Sequence, residues 1–176
     1  MRRANAIAAR VLAALLLVGS PVAVRAGDTS EYRVKAGFVY NFIGFTDWPQ
    51  GTGVKLPVCI YGTSAISDEL SRLNGRATDE RQLDLRLPDD IEGLTGCKVV
   101  FVAASAAASL RRIAIKLQAE PVLLIAENPG ALTEGAMINL AIRESRVVFS
   151  VNLSAARRSG LGLSARMLQL ATEVRE

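Results

Sequence analysis

The chain has 176 residues, half of them hydrophobic, and carries 21 Lys and Arg against 17 Asp and Glu. It contains no histidine, which excludes every triad built on imidazole along with the commonest general base and metal ligand. The formal charge of +4 and a pI near 9.4 point to nucleic acid only until the basic residues are located.

Four of those basic residues, Arg2, Arg3, Arg10 and Arg25, lie in the first 26 positions with no acidic residue among them. The apolar run VLAALLLV from Val11 to Val18 follows, then the breakers Gly19 and Pro21, then Val24-Arg25-Ala26 with small residues where a signal peptidase reads. This pattern predicts a secretory signal peptide over residues 1–26, cut after Ala26. An eight-residue run is far shorter than the roughly 20 residues that span a bilayer. No cysteine follows it to carry a lipid. Residues 27–176 are then one exported domain whose charges balance, with no call for nucleic acid or for membrane insertion after cleavage. Arg111-Arg112 and Arg157-Arg158 read as solvated helix faces.

Six of the nine aromatic residues fall between Tyr32 and Pro49, in YRVKAGFVYNFIGFTDWP. Val34, Phe38, Phe42 and Phe45 share one helical face, Val39 and Ile43 widen it, and Pro49 ends the helix. Such a stripe is first of all a core face. Tyr40, Asn41, Phe45 and Trp48 are the candidate partner-binding residues, with ring surface of Tyr40 or Trp48 left accessible.

The next elements alternate. LPVCIY over Leu56 to Tyr61 reads as a strand, followed by a turn at Gly62 and a helix over Ala65 to Leu73 that Ser64 can cap. QLDLRL over Gln82 to Leu87 alternates like a half-buried strand. Cys97 to Ala103 and Pro121 to Ala126 are apolar enough to be buried on both faces, with a helix over Ala106 to Leu117 between them. These elements predict an α/β fold: one mostly parallel, Rossmann-like sheet flanked by helices. Ala136 to Ile142 and Val147 to Leu153 flank Arg143-Glu144-Ser145-Arg146 and read as an antiparallel hairpin. A short helix near Ser154 to Arg158, a Gly160-Leu161-Gly162 break and a last helix from Ser164 close the chain. Leu163, Met167, Leu170 and Val174 form the apolar stripe of that last helix.

Chemistry-bearing motifs are sparse. Gly62-Thr63-Ser64 offers backbone donors at a helix start, a weak phosphate signal. Gly51-Thr52-Gly53 and Gly160-Leu161-Gly162 lack the strand-before, helix-after setting of a dinucleotide site. The acid pairs Asp89-Asp90 and Asp79-Glu80 sit in polar loop stretches and read as solvated. No catalytic, metal or cofactor site is expected. Cys59 and Cys97 do not make a metal cluster. In an exported chain two cysteines tend to pair. A bridge would close a loop of roughly 39 residues and contribute on the order of 4 kcal/mol. Two separate buried thiols are the alternative.

VKAGFVYNFIGFTDWP resembles the opening helix of the YfiR-like periplasmic proteins. The similarity continues through Cys59 in the first strand and GCKVVFVA around Cys97. It closes with INLAIRESRVVFSVNLSAARRSGLGLSARMLQLA, and spans Glu31 to Ala171. Glu134-Gly135 departs from the two glycines that members often carry before the hairpin. The resemblance implies a non-enzymatic periplasmic regulator, a repressor that binds the periplasmic domain of an inner-membrane diguanylate cyclase and lowers cyclic di-GMP, restraining biofilm. A homodimer is compatible with it. Two other readings stay open at this point. One is a periplasmic small-molecule binding module acting on a sensor kinase or another membrane receptor. The other is a carboxylate-dependent cell-wall enzyme.

Overall fold

The computed structural model describes residues 26–49, 53–78 and 81–176. The expected leader over residues 1–26 falls outside these residues save for Ala26, as do Asp79-Glu80 and most of Gly51-Thr52-Gly53. The chain opens with α1 (Ala26–Gly44) and β1 (Thr46–Asp47). It continues through β2 (Lys55–Tyr61), α2 (Ile66–Ser71), β3 (Ala77–Thr78), β4 (Arg81–Arg86) and β5 (Val99–Val102). A 3₁₀ segment (Ala104–Ser109) then leads into α3 (Leu110–Leu117) and β6 (Leu123–Ala126). Last come β7 (Ile138–Arg143), β8 (Arg146–Asn152), α4 (Leu153–Arg158), β9 (Gly162–Leu163), α5 (Ala165–Leu170) and β10 (Glu173–Arg175).

Eight strands form one sheet in the order β10-β8-β7-β6-β5-β2-β4-β3. The five central strands from β4 to β7 run parallel, and β7 and β8 form the antiparallel hairpin. This is the α/β architecture with a mostly parallel sheet that the alternation of elements predicts. Its physical basis is clearest at β5 and β6. Every side chain of VVFV and LLIA is buried, because alternate residues face two separate cores. Val99, Phe101, Leu123 and Ile125 join α1 and α2 on one face. Val100, Val102, Leu124 and Ala126 join α3 on the other. Truncating Phe101, which has no exposed surface, to alanine would cost about 3–5 kcal/mol.

Three expectations need correction. First, α1 ends at Gly44, not at Pro49. Its last carbonyls are taken up locally: Phe45 N–H donates to Asn41 O at 2.9 Å, Thr46 Oγ1 to Phe42 O at 2.7 Å and Trp48 Nε1 to Ile43 O at 3.3 Å. Thr46 and Asp47 then pair antiparallel with Leu163 and Gly162, an interaction no local pattern encodes. The buried face of α1 is also rotated. Ala36, Val39, Phe42 and Ile43 are its core residues, while Val34 is 45% exposed and Phe38 lies at the margin. Second, the hairpin turn has two residues, not four. Arg143 pairs with Arg146, and Glu144 and Ser145 have φ of 48° and 60°, the left-handed pair a tight hairpin needs. Third, the last helix is a six-residue piece capped by Ser164. Leu170 is 65% exposed, and Glu173–Arg175 leaves the helix to pair parallel with β8. The expected four-residue stripe therefore reduces to Leu163 and Met167.

Candidate functional site

Two regions collect polar or aromatic groups with something to do. The first is the end of α1. Tyr40 is half-buried, and its hydroxyl donates to Ala77 O at 2.5 Å while the Arg76 guanidinium sits 5.9 Å from its ring centroid. Asn41 beside it is exposed. Phe45 is half-buried, with the Arg166 guanidinium 5.9 Å from its ring. Trp48 is half-buried and held by its indole bond to Ile43 O. Phe42 goes fully inside, where it and Phe38 meet Phe149 at centroid distances of 4.8 and 5.7 Å. The candidate residues thus divide: Tyr40 reaches β3 through its hydroxyl, Asn41 is exposed, Phe45 lies past the helix end beside Arg166 of α5, and Trp48 turns back onto Ile43 O. Each ring is anchored at one point with part of its surface free, which suits an interface anchor of low entropy cost.

The second region is the C-terminal edge of the parallel sheet, the edge where open α/β sheets place ligands. Lys35 reaches it from α1. Its ammonium lies 2.8 Å from Glu127 Oε2 and 2.6 Å from Glu31 Oε1. The Glu127 side chain, 4% exposed, stands just after β6, and its Oε1 accepts from Ser64 Oγ at 3.3 Å and Ala104 N at 3.4 Å. One carboxylate therefore ties α1 to the ends of β2, β5 and β6. Burial lowers the Lys35 pKa. The hydrogen bonds and charges of Glu127 and Glu31 more than offset that and hold it above its ordinary 10.5.

Beside this tie is a cleft of about 780 Å3 between the ends of β4, β2 and β5. Gly62 turns the chain there with φ +92°, and a Cβ on it would sit 2.7 Å from Ala106 Cβ. The Gly62-Thr63-Ser64 turn is not a phosphate cradle. Thr63 N–H donates to Ser105 Oγ at 2.9 Å, and that hydroxyl donates back to Thr63 O at 2.9 Å. Ile66 N–H is taken by Ser64 Oγ. Among the described residues no group of three Cys, Asp or Glu is placed to hold a metal, and no helix is long and apolar enough to cross a membrane.

Cys59 and Cys97 are joined in a disulfide with Cα atoms 6.0 Å apart. Both are fully buried in the α3-side core. Lys35 and Glu127 went unread in the sequence because each looks like an ordinary solvated charge. The available signal was the position of Lys35 beside Ala36 and Val39 on an apolar face, and of Glu127 directly after the apolar run LLIA.

Comparison with known proteins agrees with this architecture. The family model described as YfiR/HmsC-like matches residues 32–172. A crystal structure of a conserved domain protein from Vibrio cholerae O1 biovar eltor is similar with a TM-score of 0.53 and 10% identity, over 82% of this chain and 60% of that one. The ABC domain from Streptococcus pneumonia, solved in complex with L-Trp, is similar with a TM-score of 0.56 and 6% identity, again over 82% and 60%. The chain thus spans about 60% of the length of each of these structures, and at such identities the likeness shows the fold alone.

Proposed function

Because the chain belongs to the YfiR/HmsC-like family, we propose that it is a periplasmic regulator that binds the sensor domain of an inner-membrane diguanylate cyclase and holds it inactive, without turnover. Residues 1–26 are its export signal and 27–176 its single working domain. The observation that carries this reading is the family match over residues 32–172, which covers the whole sheet apart from β10. The anchored rings Tyr40, Phe45 and Trp48, with exposed Asn41 between them in sequence, are the contact surface in this reading. The chain without its first 26 residues has no net charge, so contact rests on apolar and aromatic surface more than on long-range steering, and association depends weakly on salt.

Deleting the gene should raise cyclic di-GMP, and supplying the exported protein should restore the low level. A version lacking Met1 to Ala26 stays in the cytoplasm and fails to complement. In a binding assay with the cyclase periplasmic domain, Asn41→Arg adds a charge on an exposed position without touching the core. It should weaken binding about tenfold or more, as should Trp48→Ala. Unchanged cyclic di-GMP in the deletion, with no cyclase co-purifying, overturns the reading and leaves a small-molecule binding module as the leading account.

A further inference from the structure

Asn74 is the one asparagine of the chain that precedes a glycine, and no aspartate precedes one. The pair Asn74-Gly75 lies in the turn between α2 and β3, at the margin of the sheet, and both residues are exposed to water. A bond from the Gly75 nitrogen to Asn74 Cγ would close a five-membered ring. Glycine favours that closure because it has no Cβ to obstruct approach to its nitrogen, and Gly75 has open space where a Cβ would stand.

The fold holds both reacting groups. Gly75 N–H donates to Leu83 O at 2.9 Å, so its proton and its nitrogen are engaged. Leu85 N–H donates to Asn74 Oδ1 at 3.0 Å, which fixes the side-chain amide on β4. Leu83 N–H donates to Arg76 O at 3.1 Å. All three bonds run to β4, and the ladder then continues for only the pairs Ala77–Gln82 and Thr78–Arg81. The ring therefore cannot close until β4 parts from residues 74–78. A marginal ladder this short opens far more often than the whole molecule unfolds.

We infer that Asn74-Gly75 is a self-modification site, at which the chain converts its own amide to isoaspartate when β4 opens and so releases Tyr40 from β3. In the open form the Gly75 nitrogen gives its proton to solvent and bonds to Asn74 Cγ. The Cγ–Nδ2 bond breaks, and Nδ2 takes a proton from solvent and leaves as ammonia. Water then adds to the cyclic imide. Breaking the bond between nitrogen and Cγ restores the main chain with aspartate at position 74. Breaking the bond to the main-chain carbonyl gives isoaspartate. That route is favoured because the carbonyl lies next to the electron-withdrawing amide nitrogen of residue 74. Water is the sole co-reactant, and nothing is oxidised or reduced.

Isoaspartate routes the chain through Cγ and lengthens it by one carbon ahead of Gly75. The register that brings Gly75 N–H to Leu83 O is then lost. The next two residues are the ones that hold Tyr40: its hydroxyl donates to Ala77 O, and the Arg76 guanidinium sits 5.9 Å from its ring centroid. Displacing them frees the ring. The site holds whether or not that ring meets a partner, and it is tested on the isolated protein.

The test is incubation of the exported protein, natively and in unfolding urea, with isoaspartate at residue 74 followed by peptide mapping. Native conversion should be slower than unfolded conversion by about tenfold or more. Urea below the unfolding transition should speed it in step with hydrogen exchange of the Leu83 and Leu85 amides. The converted protein, separated by chromatography and isotope-labelled, should show moved backbone amides at residues 40–42 and 76–78. Asn74→Ser, which keeps an acceptor for Leu85 N–H and cannot close the ring, should show no change with time. Freshly made Asn74→Asp adds the charge without the extra carbon and should leave residues 40–42 in place. No isoaspartate in the native protein, even in sub-denaturing urea, overturns the site. Equal native and unfolded rates, or a rate that does not follow the Leu85 amide, overturn the control by β4. Moved amides at residues 40–42 in Asn74→Asp, or unmoved ones in the converted protein, overturn the release of Tyr40.

Discussion

Replacing Lys35 by methionine keeps the length of the side chain and removes its charge. Lys35 and Glu127 have side chains 7% and 4% exposed, so the substitution leaves a carboxylate buried without its cation. Glu31, 31% exposed, loses its partner to water at little cost. Glu127 keeps only the two long bonds from Ser64 and Ala104. Breaking one side of a buried pair costs about 3–5 kcal/mol, and the surviving donors place this case near 3. For a domain of this size that lowers Tm by about 6–12 °C. The double variant Lys35→Met with Glu127→Gln removes both charges and retains an acceptor for Ser64 and Ala104. It should recover most of the loss, because replacing a whole buried pair is often close to neutral. Urea unfolding followed by the fluorescence of Trp48, the sole tryptophan, measures all three proteins. A Lys35→Met variant within about 1 kcal/mol of the parent, or a double variant less stable than the single, refutes the argument that the tie is a desolvated charge pair.

The same ammonium has a pH signature. Its folded pKa is raised above 10.5, so its contribution is fully present below 10.5 and is lost as pH rises through the higher folded value. The stability gap between the parent and Lys35→Met should close over that alkaline window, measured as the difference of their urea midpoints. Replacing Cys59 and Cys97 by alanine should cost on the order of 4 kcal/mol; for the parent protein, freshly isolated from periplasm and alkylated without reductant, a mass gain of two adducts would contradict the bond. Gly62→Ala meets both a φ of +92° and Ala106 at 2.7 Å and should lose about 2–3 kcal/mol. Gly160→Ala, at φ +74° with nothing within 4 Å, should lose only about 1. Equal losses at the two glycines would show that close approach contributes nothing.

The sheet centre was legible because VVFV and LLIA carry apolar residues at every position, and burial on both faces is the one setting that rewards this. The hairpin was legible from two β-rich runs around a short polar break. The end of α1 was not. Its stop depends on Thr46 and Asp47 pairing with Leu163 and Gly162, more than a hundred residues away, while the local pattern favours continuing to Pro49. The strand Glu173–Arg175 escaped for a similar reason: none of its three residues is buried, so alternation leaves no mark on it, and its partner Ser150–Asn152 is remote. Of the site, the rings were visible through their concentration in one segment. Lys35 and Glu127 were not, since burial of a polar side chain is a property of the folded surroundings and its letter looks the same in water.

The position of the disulfide has a consequence for how the molecule breathes. Cys59 sits near the end of β2 and Cys97 just ahead of β5, and these two strands are direct neighbours. The chain between them makes an excursion to the far side of β2, laying down α2, β3 and β4, before it returns. The bond pinches that excursion shut at its neck. One whole margin of the sheet can therefore detach as a tethered loop while β2, β5 and the strands beyond them stay paired. Hydrogen exchange should report this as a separate, less protected unit, and a proteolytic cut inside the loop should leave both fragments on one covalent molecule until a reductant is added.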